Sequence, residues 1–236
     1  MKEAIVLAGG FGTRLRQVVS NVPKPMADIN GRPFLAYLLD YLGSFGFEHI
    51  ILSTGYMHEK IEEYFGNEYL SPASHPRHIA ISYAHEETPL GTGGGILNAL
   101  QCCKSDTVTV LNGDTMFKVD YNELDQFHAN HHTDLSIILR QVPDTSRYGS
   151  VSVANDGQIV CFTEKSEASG AGWINGGIYR LNKRLFAELT VGQKFSFEKD
   201  VMEKYYRQQK FYAYPSSAYF IDIGVPDDYM RAQSEL

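Results

Sequence analysis

The stretch Ala4-Ile5-Val6-Leu7-Ala8-Gly9-Gly10-Phe11-Gly12-Thr13-Arg14-Leu15, with Pro23-Lys24-Pro25 shortly after it, decides how this chain is read. Its first five residues are an apolar run of the length expected for one strand buried on both faces of a parallel sheet. A glycine-rich turn leaving such a strand lets backbone N–H groups close around a phosphate, since no Cβ holds the ligand off. Arg14 and Lys24 stand on either side of that turn. Glycines, an arginine and a lysine framed by prolines within one loop point to a polyphosphate that is about to be cut.

Two familiar phosphate loops fail on particular residues. A P-loop needs Gly-Lys-Ser/Thr, and this loop has Gly12-Thr13-Arg14. A dinucleotide fingerprint needs a third glycine where Leu15 stands and an acidic residue closing the second strand, and Ile50 to Thr54 has none.

The 236 residues are 43% hydrophobic, enough for one large α/β domain or two lobes sharing a sheet. Lys and Arg total 21 against 28 acidic residues, a net charge of −7 that argues against a nucleic-acid surface. The cations must therefore act locally, and Lys2, Arg14, Arg16 and Lys24 are read as a cluster where a phosphate needs them. Cys102, Cys103 and Cys161 make no disulfide framework and fit a reducing cytosol. Met1 leads straight into a strand without a signal peptide, and no apolar run approaches membrane-spanning length. The expectation is a cytoplasmic protein with no membrane partner.

Short apolar runs alternate with amphipathic stretches through the first half. Strands are predicted at residues 4–8, 50–52, 79–84 and 107–111, and helices at 33–45, 57–65 and 93–102. That alternation implies parallel pairing with right-handed crossovers and ligands at the carboxyl ends of the strands. Both the Gly9–Gly12 loop and Asn112-Gly113-Asp114 fall at such ends. The second half reads as strands at 134–139, 150–153, 159–163 and 173–179, with a turn at Asn155-Asp156-Gly157 and a helix over 197–209. The fold class is a Rossmann-like α/β, with a mixed, mostly parallel sheet flanked by helices. We expect a single domain over 1–236, with a nucleotide lobe at 1–115 and an acceptor lobe at 116–236.

The loop, with Gly-Gly-x-Gly-Thr-Arg-Leu and Pro-Lys-Pro, resembles the sugar-nucleotide pyrophosphorylases, and the resemblance extends over nearly the whole chain. Pro89-Leu90-Gly91-Thr92-Gly93-Gly94 looks like the family's base-binding turn, and Asn112-Gly113-Asp114 like its metal aspartate. Phe162-Thr163-Glu164-Lys165 and Asn175-Gly176-Gly177-Ile178-Tyr179 look like its sugar-phosphate contacts. Asp222-Ile223-Gly224-Val225-Pro226 resembles the second metal aspartate. Within the family, the segment from Pro89 and the ending Tyr219 to Tyr229 are most similar to the D-glycero-α-D-manno-heptose 1-phosphate guanylyltransferases. The sequence ends soon after that segment, so the β-helix or helical tail of many relatives is not expected here.

The resemblance implies condensation of GTP with a sugar 1-phosphate, assisted by Mg2+, to a sugar nucleotide and pyrophosphate. Nucleotide contacts are then implied at Leu7, Ala8, Gly9, Gly10, Gly12, Thr13, Arg14, Lys24, Glu86, Gly91, Thr92, Asn112 and Gly113. Sugar-phosphate contacts are implied at Gly149, Glu164, Lys165 and Asn175, with the metal on Asp114 and Asp222. The chemistry calls for the same residue types on its own terms. Two polyanions meet, so the barrier is largely repulsion and misalignment. Arg14 suits the leaving phosphates, Lys24 the transferring one, and Lys165 the sugar phosphate from the other lobe. Magnesium prefers hard oxygens and keeps waters, so one or two carboxylates suffice. No general base is needed, because a phosphate monoester is already ionised near neutral pH.

Each residue also has a plainer reading. Asp114 can cap a turn, Asp222 can cap a helix, and Lys165 beside Glu164 can be an exposed pair. Guanine presents two adjacent donors, which a carboxylate accepts together, whereas uracil and thymine present one donor between carbonyls. Glu86 and Glu87 precede the Gly91 turn. The resemblance puts Glu86 where thymidylyltransferases place a glutamine that reads the pyrimidine, so Glu86 is read as the residue that selects GTP, against a solvated loop carboxylate. His128, His131 and His132 share helical spacing, and they are read as a polar helix end rather than a zinc site. Rival functions are a UTP- or dTTP-dependent transferase, on glucose or N-acetylmuramate 1-phosphate for example, and a silent sugar-nucleotide sensor. A homodimer resting on an apolar patch of the second half is compatible with the pattern and not demanded by it.

Overall fold

A computed structural model describes residues 1–10, 19, 21–72, 76–146, 148–163 and 170–236. The expectations for Gly12, Thr13, Arg14, Arg16, Glu164 and Lys165 lie outside the described residues.

The chain opens with β1 (Glu3–Leu7), short strands β2 (Asp28–Ile29) and β3 (Arg32–Pro33), and α1 (Phe34–Ser44). It continues through β4 (His49–Thr54), α2 (His58–Phe65), β5 (Glu68–Ser71), β6 (Arg77–His85), α3 (Gly91–Leu100), β7 (Thr107–Asn112) and β8 (Thr115–Phe117). The second half holds α4 (Tyr121–His131), β9 (Leu135–Val142), β10 (Ser150–Val153), β11 (Ile159–Thr163) and β12 (Gly172–Asn182). A π-helical segment at Phe197–Glu203, β13 (Tyr212–Ser216), β14 (Phe220–Asp222) and α5 (Pro226–Glu235) complete it.

Ten strands form one sheet, ordered β11-β10-β12-β7-β1-β4-β6-β5, with β9 joining β12 and β13. Its centre, β7-β1-β4-β6, is parallel, while β12 enters antiparallel to β7 and β5 closes the far edge antiparallel to β6. The sheet therefore runs without a break from the first half of the chain into the second. Neighbouring residues of β1 serve opposite faces, as the pleat requires. Ala4 and Val6 pack with α1, α2 and α4, whereas Ile5 packs with α3 and the π-helical segment. Burial on both faces explains why β1 and the middle of β4 read as continuous apolar runs, whereas β6, exposed along one face, alternates.

Local chemistry sets the helix starts. Asp120 caps α4, its Oδ1 accepting from the amides of Asn122 at 2.7 Å and Glu123 at 3.2 Å. Pro226 occupies the first turn of α5, followed by Asp227 and Asp228, which favour the positive end of the helix. Strands β5, β8, β13 and β14 were not anticipated. They are three to five residues long, and pairing with distant partners defines them rather than local periodicity.

One expectation is corrected by the structure. Lys2 does not belong to the phosphate cluster, because it lies at the opposite end of β1 from the glycine loop. There it pairs with Asp125 at 3.0 Å and donates to Asn122 at 3.1 Å. The large apolar residues left exposed are not confined to the second half. Leu70 lies on β5 and Val160 on β11, at opposite edges of the sheet.

Candidate active site

Three parallel strands end level with one another, and the site is built on their ends. Leu7 of β1 pairs in register with Ser53 of β4 on one side and Asn112 of β7 on the other. The chain then turns over this edge, the Ala8 amide donating to the Ser53 carbonyl at 2.8 Å and the Gly113 amide to the Leu7 carbonyl at 2.9 Å. A cavity of about 380 Å³ opens beside them, lined by Leu7, Gly9, Gly10, Ser53, Glu86, Pro89, Gly91, Thr92, Asn112 and Asp114. Most of the nucleotide contacts expected from the sequence thus share one wall. Ala8 and Gly113 do not line it; they hold its floor together. Ser53 was missed, although the pairing of its strand with Leu7 puts it beside the loop.

Glu86 stands where its carboxylate closes one side of the cavity. Its Oε1 accepts from Ser53 Oγ at 3.1 Å and its Oε2 from the Leu90 amide at 2.9 Å. These bonds orient the carboxylate and leave further lone pairs for a ligand. The helix behind it begins at Gly91, whose φ of +75° suits glycine. A Cβ there would stand 2.5 Å from the Phe195 carbonyl oxygen. That close approach docks the 193–197 segment onto the Gly91 turn, with the Gly93 amide donating to Phe195 O at 3.0 Å.

On the other side of the cavity, carboxylates from distant segments meet one cation. Lys24 Nζ bonds Asp114 Oδ2 and lies 3.7 Å from Asp222 Oδ1. Antiparallel pairing of β14 with β8 sets Asp222 opposite Thr115, and the Ile223 amide donates to the Asp114 carbonyl at 3.0 Å. Asp222 is not a helix cap. Its Oδ1 accepts from the Gly224 amide at 2.7 Å, a bond that folds the Asp-Ile-Gly turn back toward Lys24. Two hard carboxylates already gathered on one positive charge are a donor set suited to a divalent cation such as magnesium. Among the described residues no group of three or more His, Cys, Asp or Glu could hold a metal without water or substrate oxygens.

The segment in which sugar-phosphate contacts were expected forms a bulge in β12 between Asn175 and Tyr179. Asn175 Oδ1 accepts from the Gly177 amide at 3.0 Å, its Nδ2 donates to the Tyr179 hydroxyl at 2.8 Å, and its amide donates to Gly149 O at 3.2 Å. Gly177 has φ +73°, and a Cβ on it would fall 2.4 Å from Asn112 Nδ2. The Asn175–Tyr179 bulge is thereby pressed against Asn112 of the cavity wall.

The three histidines are each engaged elsewhere. His128 Nδ1 is 2.9 Å from Ser136 Oγ in the core, and His131 Nδ1 is 2.9 Å from the Phe127 carbonyl. His132 caps α4 in the left-handed region, with φ +48°. Burial, aided by the charge of Arg180, pushes the His128 imidazole down to about 4.

Known proteins give the same answer as the geometry. The nucleotidyl transferase family model matches residues 3–236. The chain is 47% identical, over 99% of its length and 98% of the relative's, to a D-glycero-α-D-manno-heptose 1-phosphate guanylyltransferase of Aneurinibacillus thermoaerophilus. It is 41% identical to the enzyme of that name from Campylobacter jejuni, over 96% of each chain. The crystal structure of HddC from Yersinia pseudotuberculosis complexed with GMP-PN superposes with a TM-score of 0.84 at 37% identity, covering 100% of this chain and 99% of that one. With a glycine loop, paired carboxylates and a full-length match in agreement, this chain belongs to the nucleotidyl transferase family.

Proposed function

We propose that this protein transfers guanylate from GTP to D-glycero-α-D-manno-heptose 1-phosphate, giving GDP-heptose and pyrophosphate. A phosphate oxygen of the sugar 1-phosphate attacks the α-phosphorus of GTP, and the bond from that phosphorus to the α–β bridging oxygen breaks. The electron pair leaves with pyrophosphate, and no proton transfer is required at the attacking oxygen. One observation carries the reading: Asp114 and Asp222, far apart in sequence, meet at Lys24 on the rim of the glycine-walled cavity.

Lys24 offsets charge at the transferring phosphate, and the turn around Gly9 and Gly10 gives backbone close access to the triphosphate. Asp114 and Asp222 are the residues that would hold Mg2+, which supplies charge neutralisation between the two polyanions when bound. Glu86 accepts from the Watson–Crick edge of guanine. Arg14 is assigned to the leaving phosphates and Lys165 with Glu164 to the sugar phosphate. Residues 1–115 form the nucleotide lobe and 116–236 the acceptor lobe of a single domain. The reaction belongs in the cytoplasm, where its triphosphate substrate and its unpaired cysteines are at home.

The test is pyrophosphate release under Mg2+ with GTP, UTP, dTTP and CTP against a panel of sugar 1-phosphates. GTP with the heptose 1-phosphate should give the highest kcat/KM. A preference for UTP or dTTP would overturn the guanine assignment, and no release with any pair would favour a non-catalytic sensor.

A further inference from the structure

Glu198 sits in the π-helical segment, outside every motif above, yet it touches both halves of the site. Its Oε2 accepts from Thr92 Oγ1 at 2.5 Å and from Ser196 Oγ at 2.8 Å, while its Oε1 accepts from the Tyr179 hydroxyl at 3.4 Å. Thr92 lines the nucleotide cavity and itself accepts from the Phe197 amide at 2.9 Å. Tyr179 receives the Asn175 side-chain amide at 2.8 Å. One carboxylate thus terminates two hydrogen-bond lines, one from the nucleotide wall and one from the acceptor bulge.

We propose that Glu198 is a positioning residue that sets the two substrate subsites at a fixed spacing, acting through Thr92 on the nucleotide side and through Tyr179 and Asn175 on the sugar side. The proposal rests on the guanylyl transfer assigned above. The physical need is clear: an in-line displacement tolerates little error between attacking oxygen and phosphorus, and misplacement by an ångström is costly. A carboxylate is the right group for the junction. It is acceptor-only when ionised, so all three hydroxyls donate to it, while Thr92 accepts from the Phe197 amide, Ser196 from the Lys199 amide and Tyr179 from the Asn175 side chain. The carboxylate directs the three hydroxyl hydrogens, and the Asn175 amide is held beside them with its Oδ1 pinned by the Gly177 amide.

The arrangement predicts an asymmetry that a merely structural glutamate would not show. An amide in place of the carboxylate keeps one oxygen, which satisfies the Thr92 and Ser196 donors, and turns its NH2 toward Tyr179. That contact then brings a donor to the hydroxyl where the carboxylate brought an acceptor. The experiment compares wild type with Glu198→Ala and Glu198→Gln by calorimetric binding of GTP and, separately, of D-glycero-α-D-manno-heptose 1-phosphate. Steady-state kcat and melting temperature are measured alongside.

Loss of a hydrogen bond to a charged group corresponds to about tenfold in affinity. Glu198→Ala should weaken both ligands by about that factor, and kcat should fall further because the spacing is lost. Glu198→Gln should bind GTP as wild type does and remain weak for the sugar phosphate. Tyr179→Phe should copy the glutamine variant without touching the nucleotide wall. Equal effects of Ala and Gln on both ligands, or weakening of one ligand alone by Ala, would overturn the proposal. A wild-type protein that binds both ligands but releases no pyrophosphate would instead count against the guanylyl transfer itself.

Discussion

Lys24 Nζ stands 3.7 Å from Oδ1 of Asp222 and bonds the carboxylate of Asp114. One ammonium thus occupies the point on which both carboxylates converge, and a divalent cation with a polyphosphate would draw the three groups into a different balance. Removing either carboxylate changes that balance more than it changes the fold, since all three side chains are partly exposed. Asp114→Asn and Asp222→Asn should each retain the wild-type melting temperature within a degree or two and lower kcat roughly 100-fold or more. Chelation of divalent ions by EDTA should abolish turnover, and added Mg2+ should restore it. Undiminished turnover in either variant would remove the aspartates from the mechanism.

Base selection should follow the charge of Glu86. In Glu86→Gln the bonds from Ser53 and the Leu90 amide compete for one remaining oxygen, and guanine loses a two-lone-pair acceptor. We expect kcat/KM for GTP to fall about tenfold or more, with UTP and dTTP unchanged or improved. Initial rates with the four triphosphates check this.

Gly177 is held at φ +73°, with Asn112 Nδ2 at 2.4 Å from where a Cβ would stand. Gly177→Ala should therefore destabilise the protein by about 2 kcal/mol, combining left-handed strain with a clash that pushes the Asn112 side chain off the cavity wall. Denaturant midpoints measure the first effect, and the KM for GTP measures the second. Both should move together.

His128 makes stability depend on acid. Its folded-state value of about 4 lies below the ordinary value of 6.5, because burial and then Arg180 oppose the charged form, outweighing Asp134 and Asp125. The unfolded chain therefore binds the proton first, and stability falls as pH drops from about 6.5 toward 4. The span corresponds to an upper figure of about 3 kcal/mol. In the same direction but lower, burial raises the Glu3 carboxyl, yet bonds from His49 and from the amides of Ser105 and Lys104 outweigh it and hold the group at about 2. Its stabilisation is present above 4.5 and lost as pH falls toward 2. Urea midpoints measured from pH 7 to 4 should slope in wild type and flatten over that window in His128→Asn.

Much of the site was legible because its signals are local. Consecutive glycines after a strand, a lysine between prolines, and an aspartate at a strand end each form a pattern within a few residues, although the patterns lie far apart along the chain. The parallel centre was legible for the same reason, since strands buried on both faces must be apolar throughout. Ser53 left no such mark, as its place on the cavity wall comes from register with Leu7 across two strands. Lys2 was misplaced because counting cations along a chain ignores which end of a strand each occupies. Glu198 was invisible, its role depending on Thr92 and Tyr179 arriving at it from separate elements.

By itself, then, the amino-acid order determined the glycines that follow the first strand and most of the alternating strands and helices, because spacing and side-chain type act over a turn or a strand. Tertiary structure alone decided that Asp222 meets Asp114 at Lys24 and that one glutamate joins both subsites. Those contacts are made across sheet pairings between distant segments, and no local pattern encodes such a meeting.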